Sequence, residues 1–394
     1  MKNSISAFTR NNPRGLEEKV GAGSNSNKEV KKQWRFRRSN FLIATISMFI
    51  FMSCIPEFLN PMNPGVIKPS GPKPDWAPDI DPQMQAVIEK LQSYGTPPLH
   101  TLTAAQARMA PTPTDAVNAL IKENNIKVTP PDLEINHKVI PGPSPEGILV
   151  RTYTPKTGDG PFPVIVYYHG GGWVIAGLDT YEPSAKGLAD KAGAIVVSVA
   201  YRQAPEHMFP AAHEDAFAAY QWALNNAGSI NGDPDRVALA GESAGGNLAV
   251  AVSLMARERG VELPVHILSV YPIADGDVQS PTYDQYANAA PLNRPLMEWF
   301  FDKYKPDWRN EENPLISLID ADLSGLPPTT IINAEIDPLR HEGGVLAERM
   351  QEAGVEVTHE VYNGVTHEFF GMAAILEQAK QAQNLAATEL KKSF

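Results

Sequence analysis

A serine between glycines, directly after an apolar run, is the feature that most constrains the fold. The segment Gly241–Asn247 reads Gly-Glu-Ser-Ala-Gly-Gly-Asn, follows an apolar run at 237–240 and precedes an apolar-periodic stretch. This pattern predicts a strand that ends abruptly in a helix, with Ser243 at a sharp turn and its hydroxyl projecting from the sheet. Gly241 and Gly245 suit such a turn because side chains at these positions would collide across it. The sequence therefore predicts a nucleophile elbow.

A second glycine loop lies upstream, again at the end of a β-rich run. Residues 169–173 read His-Gly-Gly-Gly-Trp and follow the run 163–168. Consecutive glycines leave backbone N–H groups open toward a ligand, as an oxyanion hole requires. We expect its donors to be the N–H groups of Gly171, Gly172 and Ala244, the last at the positive end of the predicted helix. A phosphate-binding loop is the alternative, but no Gly-Lys-Ser/Thr follows the glycines.

A serine nucleophile needs a base within hydrogen-bond reach, and nine histidines are available. In chains whose nucleophilic serine lies on such an elbow, the catalytic residues follow in the order serine, acid, histidine. His359 and His367 lie late enough in the chain to leave room for an acid between the serine and the histidine. His359 falls within a predicted strand at 356–362, whereas His367 falls in the loop after that strand. We therefore expect His367 to be the base and His359 to be structural.

The motifs together resemble the bacterial hormone-sensitive-lipase-like esterases of the α/β-hydrolase superfamily. The blocks that carry the likeness are 169–173, 201–212, 233–247, 323–328, 337–343 and 367–369. The likeness extends from about residue 79 to the C-terminus. It implies an α/β-hydrolase fold, in which helices cover both faces of a mostly parallel eight-stranded sheet and a helical cap selects the acyl group.

The resemblance also assigns roles to residues that the pattern alone leaves open. It makes Asp337 the catalytic acid, with Glu335 as the competing carboxylate beside it. It implies that His169 orders the glycine loop without transferring a proton. The chain departs from the family at His341, where an Asp is usual.

Alternation of apolar strands with helix-length intervals predicts a parallel sheet covered on both faces. Helices are expected at about 81–91 and 114–124, and the first two strands are expected to pair through a turn rich in Pro and Gly. An aromatic-bearing interval, 275–325, is expected to be a helical insertion that forms the cap together with 80–130. The strand candidates are 133–140, 147–153, 163–168, 194–200, 236–241, 265–271, 329–334 and 356–362.

The N-terminal segment has a different character from the rest of the chain. Residues 1–40 hold ten Lys and Arg against three Asp and Glu, although the net charge of the whole chain is −11. The acidic remainder argues against a nucleic-acid partner. An apolar run at 41–53 is too short for a comfortable membrane span and fits a secretory signal. It ends at Cys54, the only cysteine, in an arrangement that looks like a bacterial lipoprotein signal.

These features divide the chain into a targeting segment at 1–54, a Pro-rich tether at 55–79 and one catalytic domain at 80–394. We expect an exported lipoprotein anchored to the membrane through a lipidated Cys54. Phe51 departs from the Leu favoured three residues before such a cysteine. The alternatives are an uncleaved inner-membrane anchor, and a start codon placed upstream of an ordinary signal that yields a periplasmic or secreted protein.

The expected function is hydrolysis of short- to medium-chain acyl esters through an acyl-enzyme, with no cofactor. No His-Glu-x-x-His or comparable ligand cluster favours metal catalysis. The substrate is expected to be a small-molecule ester, and a homodimer remains open. One alternative is an amidase or deacetylase of acylated metabolites. A non-catalytic ligand-binding relative is another, but in such a relative the catalytic histidine is replaced, whereas His367 is present.

Overall fold

An eight-stranded sheet forms the centre of the fold in the computed structural model, which describes residues 67–310 and 313–394. Its order is β1-β2-β4-β3-β5-β6-β7-β8. The strands are β1 Leu133–Ile140, β2 Ile148–Pro155, β3 Phe162–Tyr168, β4 Ile195–Ala200, β5 Gly232–Glu242, β6 Ile267–Val270, β7 Thr329–Ile336 and β8 Val357–Thr366. The helices are α1 Pro82–Ser93, α2 Ala104–Arg108, α3 Pro113–Glu123, α4 Glu182–Ala192, α5 Ala211–Asn226, α6 Ala244–Glu258, α7 Pro281–Gln285, α8 Arg294–Tyr304, α9 Arg340–Glu352 and α10 Glu377–Ser393.

The predicted sheet is confirmed in strand number and in direction. β1 pairs antiparallel with β2, and β2 pairs antiparallel with β4. All the remaining pairs, from β4 through β3 and β5 to β8, are parallel. Each of the eight strand candidates corresponds to an observed strand, and the two predicted N-terminal helices correspond to α1 and α3.

Helices cover both faces of the sheet, as the apolar strands require. In β3, Val164 and Val166 face the layer that contains α5, α6, α8 and α9. The alternate residues Ile165 and Tyr167 face the layer of α1, α3, α4 and α10. All four side chains are at most 1% exposed, so the central strand is buried on both faces.

Residues 67–79, predicted as part of an extended tether, instead lie against α1. Ile67 and Ala77 are buried, and the backbone N–H of Ser70 donates to the Glu89 carboxylate at 2.6 Å. The Gln85 side chain donates to the carbonyl of Gly71 at 3.0 Å. Side chains of α1 thus satisfy the backbone of a Pro-rich segment that cannot form regular structure itself. The rest of the predicted tether, the targeting segment and Cys54 lie outside the described residues.

The insertion at 275–325 contributes α7 and α8. Its aromatic side chains are buried, namely Tyr283, Tyr286, Trp299, Phe300, Phe301, Tyr304 and Trp308. α8 lies beside the 3₁₀ turn Leu99–Thr101 of the N-terminal region, so the two parts predicted to form a cap are in contact. Among the described residues, no helix has the length and apolar character needed to span a bilayer.

Candidate active site

Ser243 occupies the sharp turn between β5 and α6 that the sequence predicts. Its backbone has φ of +58° and ψ of −119°, a conformation that L-residues rarely adopt. A Cβ atom on Gly245 would lie 1.9 Å from the carbonyl oxygen of Tyr168, and one on Gly241 would lie 2.1 Å from that of Gly245. Only glycine fits at either position. The turn therefore presents the serine at the carboxyl edge of the sheet.

Three side chains from three elements meet at this turn. Asp337 follows β7 and His367 follows β8, two parallel neighbours whose carboxyl ends lie at the same edge. His367 Nε2 lies 2.9 Å from Ser243 Oγ, and His367 Nδ1 lies 2.7 Å from Asp337 Oδ2. The other oxygen, Asp337 Oδ1, accepts the N–H of Leu339 at 2.9 Å. The arrangement can pass a proton from the serine to the imidazole while the carboxylate orients the ring.

The competing residues lie in other surroundings. The carboxylate of Glu335 accepts the backbone N–H of Gly364 at 2.7 Å. His359, within β8, has Nε2 3.0 Å from the side-chain oxygen of Asn333. Neither residue contacts Ser243, so the structure brings together Asp337 and His367 and leaves these alternatives outside the relay.

The neighbours of His367 in the relay shift the pKa of its imidazole. Burial alone would lower the pKa of His367, but the charge of Asp337 and the hydrogen bond with it outweigh burial and raise this pKa. The raised pKa means that the buried site stabilises an imidazolium, the form that a general base reaches after it takes a proton.

The glycine loop leaves β3 beside the elbow. β3 and β5 are parallel neighbours in which Tyr168 pairs with Gly241, so both turns lie at the same edge of the sheet. Gly171 and Gly172 have φ of +96° and +58°. A Cβ atom on Gly172 would lie 2.2 Å from the ring of Phe300, so α8 of the insertion packs directly on this loop.

His169 packs beneath the glycine loop. Its ring stacks on Tyr201 at 4.3 Å between centroids, and the Tyr201 hydroxyl donates to the carbonyl of His169 at 2.7 Å. Burial lowers the pKa of His169 to about 4, which keeps the ring neutral near neutral pH. This position agrees with a role in ordering the loop.

Two arginine side chains bind the segments that follow the glycine loop and β4. Arg202 binds Asp215 through two side-chain bonds of 2.8 Å. Arg108, on the short helix α2, donates to the carbonyls of Val174 at 2.8 Å and Ala204 at 2.7 Å. Arg108 ties the N-terminal region to the segment after the glycine loop, and nothing in the local sequence signals this contact.

Sequence reasoning also missed a buried carboxyl at the elbow. Glu242 is 1% exposed and accepts hydrogen bonds from the hydroxyls of Tyr167 and Tyr271. Burial, with the charge of Glu368, raises the pKa of Glu242 to about 7. The Tyr271 ring lies 4.5 Å from that of His367, between centroids. The only sequence signal was an acidic residue at the variable position before the serine.

The described residues contain no group of three or more His, Cys, Asp or Glu side chains arranged to hold a metal ion. A cavity of about 280 Å³ adjoins the site and is lined by Gly171, Tyr181, Glu368 and residues of the N-terminal region such as Leu99.

Comparison with known proteins places these features in a family. A model of the α/β-hydrolase fold matches residues 165–371. The chain is 36% identical to the carboxylesterase NlhH of Mycobacterium tuberculosis over 80% of this chain and 97% of that protein. It is 31% identical to an ethyl acetate hydrolase of Pseudomonas putida over 77% of this chain and 95% of that protein.

Solved structures of esterases are also similar to this chain in sequence and in fold. A hyperthermophilic esterase from the archaeon Pyrobaculum calidifontis is 34% identical, with a TM-score of 0.71 over 80% of this chain and 98% of that one. A thermostable esterase from Pseudomonas putida is 32% identical, with a TM-score of 0.73 over 82% and 99%. The predicted resemblance to hormone-sensitive-lipase-like esterases is confirmed, and the chain belongs to the α/β-hydrolase fold family.

Proposed function

We propose that this protein is a serine carboxylesterase that hydrolyses esters of about two to eight acyl carbons through Ser243, His367 and Asp337. The coarser statement, that it is a carboxylic ester hydrolase, follows from relatives named carboxylesterase and ethyl acetate hydrolase that match nearly their whole length. The observation that carries the finer proposal is the unbroken relay of 2.7 Å and 2.9 Å contacts ending on the elbow serine.

The proposed reaction follows from these contacts. Ser243 Oγ attacks the ester carbonyl carbon while its proton passes to His367 Nε2. Asp337 holds the ring by Nδ1 and stabilises the imidazolium. The imidazolium then gives its proton to the leaving alcohol, and the acyl group remains on the serine. A water molecule repeats the sequence and releases the carboxylic acid.

The negative charge that forms on the carbonyl oxygen needs donors nearby. We assign them to the backbone N–H groups of Gly171, Gly172 and Ala244. Support comes from the common sheet edge of the glycine loop and the elbow, and from the position of Ala244 as the first residue of α6, at the positive end of the helix dipole. One such donor is worth about 3 kcal/mol of transition-state stabilisation.

The proposed preference for short acyl groups rests on the small cavity beside the glycine loop and on the packing of the insertion against that loop. The adjoining cavity of about 280 Å³ lies near the lower end of ligand-pocket sizes. The aromatic side chains of the insertion are buried in packing and close over Gly172 through Phe300. Each acyl CH₂ adds about 0.8 kcal/mol only while apolar space remains, so the gain ends once the cavity is full.

A series of p-nitrophenyl esters from acetate to palmitate, assayed on the full chain with matching p-nitroanilides, tests the proposal. We expect kcat/KM to peak at or below about eight carbons and the anilides to be much poorer substrates. Faster hydrolysis of emulsified long-chain triglyceride than of short esters would contradict the chain-length claim. Preference for the anilides would favour an amidase.

A further inference from the structure

A second carboxyl group lies beside the proposed base, on the side where water and leaving group exchange protons. Glu368 follows His367, and its Oε1 lies 4.0 Å from His367 Nε2. The same Nε2 is 2.9 Å from Ser243 Oγ. The relay itself does not use this carboxyl, because Asp337 already occupies the other ring nitrogen.

The backbone at Glu368 is held in an unfavourable conformation. Its φ is +72° and its ψ is +4°, in the left-handed region where non-glycine residues are uncommon. Residues kept in such regions concentrate at functional sites. The Tyr181 hydroxyl donates a hydrogen bond to Glu368 Oε1 and fixes the carboxyl beside the imidazole. A carboxylate has about four lone-pair positions, so acceptor capacity remains after this bond.

Glu368 is also reachable by small molecules. Tyr181 and Glu368 line both the cavity of about 280 Å³ that contacts Gly171 and a second cavity of about 430 Å³ that contacts Glu242. The side chain of Glu368 is 19% exposed, whereas that of His367 is 4% exposed. Water arriving from either cavity therefore meets this carboxylate next to the base.

We propose that Glu368 binds and orients the water molecule that hydrolyses the acyl-enzyme, an inference that rests on the proposed function. The water donates one proton toward His367 Nε2 and the other toward the Glu368 carboxylate, which fixes its oxygen facing the acyl carbon. The oxygen attacks that carbon and one proton passes to Nε2. The bond to Ser243 Oγ then breaks, and the imidazolium returns the proton to Oγ. Glu368 accepts a hydrogen bond throughout and takes no proton.

The geometry predicts that the two half-reactions depend differently on Glu368. During acylation the leaving ester oxygen occupies the place near Nε2, and an ester oxygen carries no proton for a carboxylate to accept. During deacylation the incoming water carries two. Loss of Glu368 should therefore slow deacylation selectively, whereas damage to the relay would slow both steps.

The test uses the full chain with p-nitrophenyl butyrate and compares Glu368→Ala and Glu368→Gln with the surface control Glu377→Ala. Pre-steady-state release of p-nitrophenol measures acylation, and intact mass of the acid-quenched steady state measures acyl-enzyme. For Glu368→Ala we expect deacylation to slow by about tenfold or more and acylation by less than about threefold, with a new burst and an accumulating acyl adduct. Glu368→Gln, which retains an acceptor oxygen, should lie between Glu368→Ala and the wild type.

Equal slowing of both steps in Glu368→Ala and Glu368→Gln would overturn the inference, because it indicates a structural role. Deacylation at the wild-type rate in both variants would overturn it as well. If normal acylation accompanies such a result, the role of Glu368 fails while the proposed function stands. If ester is hydrolysed but no acyl adduct on Ser243 can be trapped in either the wild type or Glu368→Ala, the proposed function fails, and this inference fails with it.

Discussion

At the scale of single residues, the sequence could predict the sharp turn at Ser243 and the candidate base His367, whereas the assignment of Asp337 came from the family resemblance; the catalytic roles of all three stay predictions. The turn at Ser243 excludes side chains at Gly241 and Gly245, and chain order restricts the base to two late histidines. Glu242 and Glu368, which are adjacent to the serine and the histidine, could not be assigned partners. Their tyrosines lie far away in the chain and reach them only through the sheet and α4.

Asp337→Asn should lower kcat/KM for a short ester by more than about a hundredfold, because the neutral amide no longer stabilises the imidazolium and favours the wrong ring tautomer. Glu335→Gln is the matched control and should stay within about threefold, since an amide oxygen can still accept the Gly364 N–H. Steady-state kinetics on both variants, with circular dichroism to confirm folding, measure the difference. A neutral Asp337→Asn beside an inactive Glu335→Gln would show that the acid is misassigned.

At the scale of elements, the strands could be predicted because a buried parallel sheet demands continuous apolar runs, and their ends differ from prediction by a few residues. The helix α2 was missed because five residues carry no periodicity; its Thr103–Gln106 capping box stabilises it locally. The prediction that 67–79 form part of an extended tether was wrong. A high density of proline indicates that a segment lacks regular structure, but it does not indicate whether that segment packs on a helix such as α1. The contact of α8 with Gly172 depends on tertiary packing alone.

Gly172→Ala should abolish most activity and destabilise the fold by about 1–3 kcal/mol, because alanine must adopt φ of +58° and its Cβ meets the Phe300 ring. Gly228→Ala is the control, since a Cβ there contacts nothing within 4 Å. Urea unfolding and ester hydrolysis measure the two effects. Wild-type activity in Gly172→Ala would contradict the placement of this loop at the site.

At the scale of the whole molecule, the described hydrolase body accounts for the catalytic motifs but not for the N-terminal segment. A basic stretch, an apolar run and a solitary cysteine precede the body in the order of a lipoprotein signal. Membrane attachment through Cys54 stays a prediction, and the docking of 67–79 on α1 shortens any tether to the residues before Ile67.

Cys54→Ser should block processing and leave an unlipidated precursor of larger mass, because the cysteine thiol is the expected acceptor of the lipid. Several acyl chains would hold the wild type on membranes where one chain binds only marginally. Fractionation and intact mass of protein expressed in a bacterial host measure this outcome. Unchanged mass and partitioning in the variant would contradict lipidation and favour an uncleaved anchor.

The central claim, that Ser243 is the nucleophile of an ester hydrolase, is tested most directly by covalent trapping. Incubation with diethyl p-nitrophenyl phosphate and peptide mass mapping should show one phosphorylated residue, Ser243, with ester hydrolysis lost in proportion to labelling. Ser243→Ala should take no label and retain less than about a thousandth of the activity, while Ser229→Ala on an exposed turn should behave as the wild type. Label on another residue, or hydrolysis that survives Ser243→Ala, would contradict the account.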